Sequence, residues 1–77
     1  MEDQNRKIVV GGTYKHFKGN RYFVLAVGKH SETQEDLVVY LPLYVSDHTQ
    51  VWVRPLSMFL EEIELDGKKI ERFMLVK

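Results

Sequence analysis

Apolar residues run along this chain in short blocks at strand-like spacing, each closed by glycine, proline or a cluster of polar residues. Ile8-Val9-Val10 is a candidate edge strand before Gly11-Gly12, a pair that permits a sharp turn or a close backbone approach. Thr13 to Phe17 is rich in strand formers, and Lys18-Gly19-Asn20 supplies turn chemistry, so a hairpin is predicted there. Arg21 to His30 is nearly continuous in apolar residues, which reads as a central strand covered on both faces. Ser31 to Asp36 breaks the pattern, and Ser31 followed by Gln34 has the spacing of a capping box for a short helical turn. Leu37 to Val45 resumes the strand pattern, with Pro42 requiring an edge or a bulge. Ser46 to Gln50 is a polar turn, and Val51-Trp52-Val53-Arg54 is the returning strand, stopped at Pro55.

Leu56, Phe59, Leu60 and Ile63 then form a helical stripe, with Pro55 at a suitable first position. Ile63 and Leu65 also alternate, and Asp66-Gly67 is a strong two-residue hairpin signal. The two patterns are reconciled by one helical turn over Leu56 to Leu60, followed by a hairpin of Glu62–Asp66 with Lys69–Val76. The expected fold is mainly β: a small SH3-like barrel or a strongly bent β-roll with one short helical turn. Residues 1–7 are expected as a flexible, polar arm and 8–77 as a single domain.

Length changes this picture little, because 77 residues suffice for one core and bury only about 60% of the unfolded surface. Hydrophobic content of 44% and charged content of 29% argue against disorder. Eleven basic and eleven acidic residues cancel, so the chain lacks the overall positive field that drives non-specific binding to phosphate backbones. With no cysteine, disulfides, thiolate nucleophiles and Cys-ligated metals are excluded, which fits a reducing cytoplasm. No apolar run approaches the ~18 residues of a membrane span, and the polar N-terminus has no signal-peptide core. A soluble, unprocessed, cytoplasmic chain is expected.

Several ordered elements carry a family resemblance. They are the strand pair Gly12-Thr13-Tyr14-Lys15-His16-Phe17-Lys18-Gly19, the loop His30-Ser31-Glu32-Thr33, the strand Val38-Val39-Tyr40, and Trp52-Val53-Arg54-Pro55 running on to Met58-Phe59. In this the chain resembles a family of small, mostly bacterial proteins known only as a domain of unknown function. The resemblance covers roughly residues 12 to 60 and extends to the Arg72-Phe73 pair. It implies no activity, because the family has no biochemical role to carry over.

Candidate chemistry therefore rests on the residues themselves. Period-2 geometry places Tyr14, His16 and Lys18 on one side of their strand, Tyr40, Pro42 and Tyr44 together, and Trp52 with Arg54. Registration of the Tyr40 and Trp52 sets near the His30 turn would gather His16, His30, Glu32, Tyr40, Tyr44, Trp52 and Arg54 into one patch. Rings stack and arginine forms paired hydrogen bonds, so such a patch suits a small anionic or heteroaromatic ligand, a nucleotide fragment or a peptide of a partner protein. The bland alternative is that the aromatics are core and rim packing. Arg54, beside a proline on an apolar strand, either snorkels or pairs with a carboxylate, and Glu32, Glu61 and Glu62 are the candidates.

Other chemistry is less well founded. His16, His30 and His48 with Glu32 match no compact ligand spacing, so no metal and no cofactor is expected. His30 and Ser31 are adjacent and point to opposite faces, a poor nucleophile and base pair, and Ser31 or Thr33 is better read as capping a turn. A small enzyme using His30 or His16 is the weaker alternative to a non-catalytic binding module. A module for RNA or single-stranded nucleic acid would use Lys15, Lys18, Arg21 and Lys29 among Tyr14, Phe17 and Tyr22, and a solvated polar face explains those charges as well. Exposed β edges also make a homodimer a candidate partner arrangement.

Overall fold

The computed structural model describes residues 8–45 and 50–77, so the expected arm at 1–7 and His48 with most of its polar turn lie outside the described residues. Seven strands and one helical turn follow in the order β1 (Thr13–His16), β2 (Arg21–Lys29), β3 (Asp36–Pro42), β4 (Trp52–Pro55), α1 (Leu56–Phe59), β5 (Glu62–Leu65), β6 (Lys68–Glu71) and β7 (Phe73–Leu75). Five strands make one antiparallel sheet in the order β4-β3-β2-β1-β7, and β5 pairs with β6 alone. The mainly β expectation holds. A closed SH3-like barrel is not formed, because β4 and β7 end the hydrogen-bonded ladder among the described residues.

The open sheet is nevertheless strongly bent. Its two edges would lie about 19 Å apart if it were flat, at ~4.8 Å per strand step. Yet the guanidinium carbon of Arg54, on β4, sits 5.6 Å from the ring centroid of Phe73, on β7. Part of the bend comes from a bulge in β2 between Val24 and Ala26, where the register to β3 shifts. Pro42, last in β3, causes no break, because β4 begins only at Trp52 opposite Tyr40 and leaves that side of Pro42 without a strand to bond.

The concave face carries the core: Tyr14, Tyr22, Val24, Val38, Tyr40 and Phe73 from the sheet, with Phe59 and Leu60 from the helical turn. Phe59 is fully buried and lies flat on Phe73, with centroids 4.0 Å apart and planes 3° from parallel. It also meets Tyr14 and Tyr40 edge-on at 5.2 and 5.4 Å. The turn α1 thus plugs the open side of the sheet. Pro55 occupies the position before the first helical residue, one place earlier than its sequence role suggested, and makes no side-chain capping bond. Ile63, which fits both the helical stripe and the strand alternation, pairs with Ile70 in the β5–β6 hairpin, as the reading of one helical turn followed by a hairpin requires.

Three local expectations change. Ile8 to Val10 forms no strand: Val10-Gly11 is a turn closed by the Gly12 amide donating to the Val9 carbonyl at 3.1 Å, and the Val9 amide donates to the Tyr14 hydroxyl at 3.0 Å. Ser31 to Thr33 is a non-helical turn, capped mainly by the His30 imidazole rather than by Ser31. The final hairpin is shorter than expected: β6 ends at Glu71, and the chain turns at Arg72 so that β7 crosses to pair with β1. At Asp66-Gly67 the expected tight turn is present, with φ of 54° and 78° as a two-residue hairpin of the mirror-image type requires. The outer half of β2, Leu25 to Lys29, is exposed, because β1 pairs only as far as Phe23 and leaves the β2–β3 hairpin projecting.

Candidate functional site on the concave face

Register alone assembles the site. Tyr40 pairs directly with Trp52, Val38 with Arg54, and His16 with Phe73, so all these residues share the concave face. Tyr22 lies at the centre of the aromatic floor, with Tyr40, Phe73, Tyr44 and Trp52 at centroid distances of 5.5, 5.6, 5.7 and 5.9 Å. Most of these contacts are edge-to-face, the arrangement aromatic quadrupoles favour. Tyr22 is buried, whereas Trp52 and Tyr44 are 42% and 50% exposed and form the rim. Two shallow clefts flank Tyr44. One is lined by Pro42, Val45, Gln50 and Trp52, the other by Gly19, Asn20, Arg21 and Leu43.

Positive charge gathers on this floor. Arg54 donates from Nε to the Tyr40 hydroxyl at 3.3 Å while its guanidinium lies over Phe73. Among the described residues no ion pair joins Arg54 to Glu32, Glu61 or Glu62. Glu61 pairs instead with Arg72, Oε1 to a terminal guanidinium nitrogen at 3.4 Å. The backbone of Arg72 is fixed on both sides, its amide donating to the Glu61 carbonyl at 3.0 Å and its carbonyl accepting from the Phe17 amide at 2.9 Å. Its Nε is buried and makes no hydrogen bond to the described protein. A buried donor left in that state costs about 1–3 kcal/mol, more when charged.

His16 reports this field. Its ring stands edge-on to Phe73 at 4.9 Å, and its Nδ1 accepts the Lys18 amide at 3.1 Å. Burial first, then the charges of Arg72, Arg54 and Lys18, hold its pKa below the usual 6.5. At neutral pH the imidazole is therefore uncharged, and with Nδ1 accepting, its proton resides on Nε2. Burial and the hydrogen bond to Tyr44 push the Tyr22 phenol up to about 12.

His30 and Glu32 lie elsewhere. The turn that carries them joins Lys29 to Asp36, whereas Tyr22 pairs with Pro42 at the opposite end of the same hairpin. Seven residues along β2 separate the two ends, about 20 Å of strand. There the His30 Nδ1 accepts the amides of Glu32 and Thr33 at 3.1 and 3.3 Å, and Ser31 donates to Glu32 rather than to His30. Thr33 accepts the Glu35 amide at 3.2 Å. The structure thus brings together His16, Tyr40, Tyr44, Trp52 and Arg54 and leaves His30 and Glu32 apart. It adds Tyr22, Phe73 and Arg72. The adjacent Arg72-Phe73 pair was their signal in the sequence, but only the crossing of β7 to β1 shows where it lands. Among the described residues no group of three or more His, Asp or Glu side chains is placed to hold a metal ion. No helix among them is long and apolar enough to cross a membrane.

Residues 12–75, which span every strand of this site, match the model of a family described as proteins of unknown function, DUF1653. The chain belongs to the DUF1653 family. It is also similar to the crystal structure of a DUF1653 protein from Bordetella bronchiseptica, at 29% identity over 97% of this chain and 92% of that one, with a TM-score of 0.77. No protein of curated function matches the chain significantly. Membership in DUF1653 therefore fixes kinship and architecture, and the function has to be argued from the face itself.

Proposed function

We propose that this DUF1653 protein is a non-catalytic binding module that takes a small anionic or heteroaromatic ligand on its concave face. The observation that carries the reading is the convergence of Arg54, Arg72 and His16, from three different strands or their junctions, on one aromatic floor. Like charges gathered in a partly desolvated place repel one another, and an anion relieves that repulsion. Arg54 uses one of its five N–H donors on Tyr40, which orients the guanidinium without exhausting it. The half-exposed rings of Trp52 and Tyr44 offer stacking surface beside it.

Binding is preferred to catalysis because, among the described residues, His16 Nδ1 is taken by the Lys18 amide rather than by a hydroxyl, and the imidazole of His30 is engaged with the amides of its own turn. A nucleic-acid module has less behind it. Lys15 and Arg21 are cross-strand partners, but Lys29 lies at the far end of β2 in a 2.7 Å ion pair with Asp36.

A thermal-shift series with phosphate, sulfate, aromatic carboxylates and heteroaromatic compounds tests the proposal. A ligand in large excess over its Kd raises the unfolding midpoint. The expected result is a shift with at least one anionic or heteroaromatic compound that is lost in Arg54→Met. Shifts that survive Arg54→Met and Arg72→Met unchanged would refute the assignment to this face.

A further inference from the structure

Resting on that reading, we infer that the ligand joins a planar heteroaromatic ring to a phosphate, the chemistry of a nucleoside monophosphate, with the ring between Trp52 and Tyr44 and the phosphate beside Arg54 and Arg72. The two ends of the site differ in character. At one end the cleft of Pro42, Tyr44, Val45, Gln50 and Trp52 is mostly hydrocarbon and ring surface. Trp52 is held from behind by Tyr22 and Tyr40 at 5.9 and 6.0 Å, so its exposed surface is a rigid platform. The Gln50 side-chain amide brings a donor and an acceptor to the same cleft, which suits the polar edge of a base.

At the other end Arg54, with one donor given to Tyr40, keeps the rest of its fork and lies over the Phe73 ring, and a neutral His16 edge-on to the same ring adds an Nε2–H. Arg72 adds its positive charge to the field at His16, while one of its terminal nitrogens pairs with Glu61 and its Nε is buried. A phosphate has three terminal oxygens and carries up to two charges, so it matches this set better than a carboxylate with two oxygens and one charge. Trp52 and Arg54 stand two residues apart on one face of β4, about 7 Å along the strand. That spacing is comparable with the span from base to phosphate in one nucleotide. The same chemistry is presented by a free mononucleotide and by the 5′-phosphorylated end of a strand.

The chain has a single tryptophan, so stacking at Trp52 can be read directly by fluorescence and affinity by calorimetry. The probes are adenosine and uridine 5′-monophosphates, adenosine, ribose 5-phosphate, nicotinate, and a tetranucleotide with and without a 5′-phosphate. A monophosphate is expected to change Trp52 emission and to bind at least about tenfold tighter than either adenosine or ribose 5-phosphate, as base–aromatic stacking predicts. Trp52→Leu should reduce its affinity to that of ribose 5-phosphate, and Arg54→Met to that of adenosine. Arg54→Lys, which keeps the charge but not the fork, should fall between, and His30→Ala should change nothing. A 5′-phosphorylated tetranucleotide that binds tighter than the free monophosphate assigns the source to a strand end, and the reverse order assigns it to the free nucleotide. A monophosphate no tighter than ribose 5-phosphate overturns the inference. Binding of nicotinate alone also overturns it while leaving the concave face a binding site, and silence from every probe at millimolar concentration removes both.

Discussion

Arg54 is the residue whose role depends most on its surroundings. An arginine on an apolar strand either snorkels or pairs with a carboxylate, and here its neighbours are a phenol and a ring. Two double-mutant cycles separate these accounts. Arg54→Ala with Glu32→Ala should be additive, because the two share no partner: Arg54 bonds to Tyr40, whereas Glu32 is engaged with Ser31 and His30 in its own turn. Arg54→Met with Tyr40→Phe should show a coupling of about 0.5–1.5 kcal/mol, the usual net worth of one hydrogen bond. Urea unfolding of the four variants and the parent measures both, and an additive Arg54–Tyr40 pair would mean that the bond does not orient the guanidinium. Phe59→Ala belongs to the same scale: a fully buried ring stacked on Phe73 should cost about 3–5 kcal/mol. For so small a domain that is most or all of its stability.

Among the elements, the turns are where backbone chemistry has the clearest consequences. Gly12 follows a turn that brings its neighbours close: a Cβ there would stand 2.9 Å from Leu75 Cδ1 and 3.0 Å from the Val9 carbonyl. The side chain of Leu75 can move, but the carbonyl is backbone, so Gly12→Ala should loosen the β1–β7 pairing and lower stability by about 1–3 kcal/mol. At Gly28, in β2, an added methyl meets nothing within 4 Å, and Gly28→Ala should be neutral or gain up to about 1 kcal/mol. Reversal of that order in denaturation midpoints would show that the β1–β7 junction is not the constrained place. These same elements mark what the sequence could and could not disclose. The hairpin at Lys18-Gly19-Asn20, the turn at Asp66-Gly67 and the helical turn after Pro55 are local chemistry and were legible. Closure of the sheet was not, because no residue pattern records whether β4 and β7 meet, and a single extra residue in β2 alters the bend. The partnership of Tyr40 with Trp52 was legible as a possibility of alternation. The separation of His30 from it depends on hairpin length, which places that turn at the end remote from Pro42.

At the scale of the whole molecule, formal neutrality conceals a local excess of positive charge, and pH exposes it. Facing the His16 ring are Arg54 from β4, Arg72 from the bend between β6 and β7, Lys18 from the turn and Tyr22 from β2, with Lys15 and Glu71 lining the neighbouring cleft. Because its folded pKa lies below 6.5, the unfolded chain takes up a proton at His16 before the folded one does. Stability from this group is complete above about pH 6.5 and declines as pH falls toward the folded pKa, with a slope of at most about 1.4 kcal/mol per pH unit. Tyr22 acts at the other limit. With its folded pKa raised to about 12 from 10, the unfolded chain loses that proton first, so stability declines as pH rises from about 10 to 12. Urea unfolding from pH 7.5 to 5.5 should show a steeper loss for the parent than for His16→Gln, and from pH 9 to 11 a steeper loss than for Tyr22→Phe. Parallel profiles would show that neither group feels the field assigned to it. A bound phosphate adds negative charge beside Arg54 and Arg72 and so raises the His16 pKa, which makes its binding tighter as pH falls toward 6. The acid decline should therefore flatten when a saturating anion occupies the concave face, and that flattening should vanish in His16→Gln.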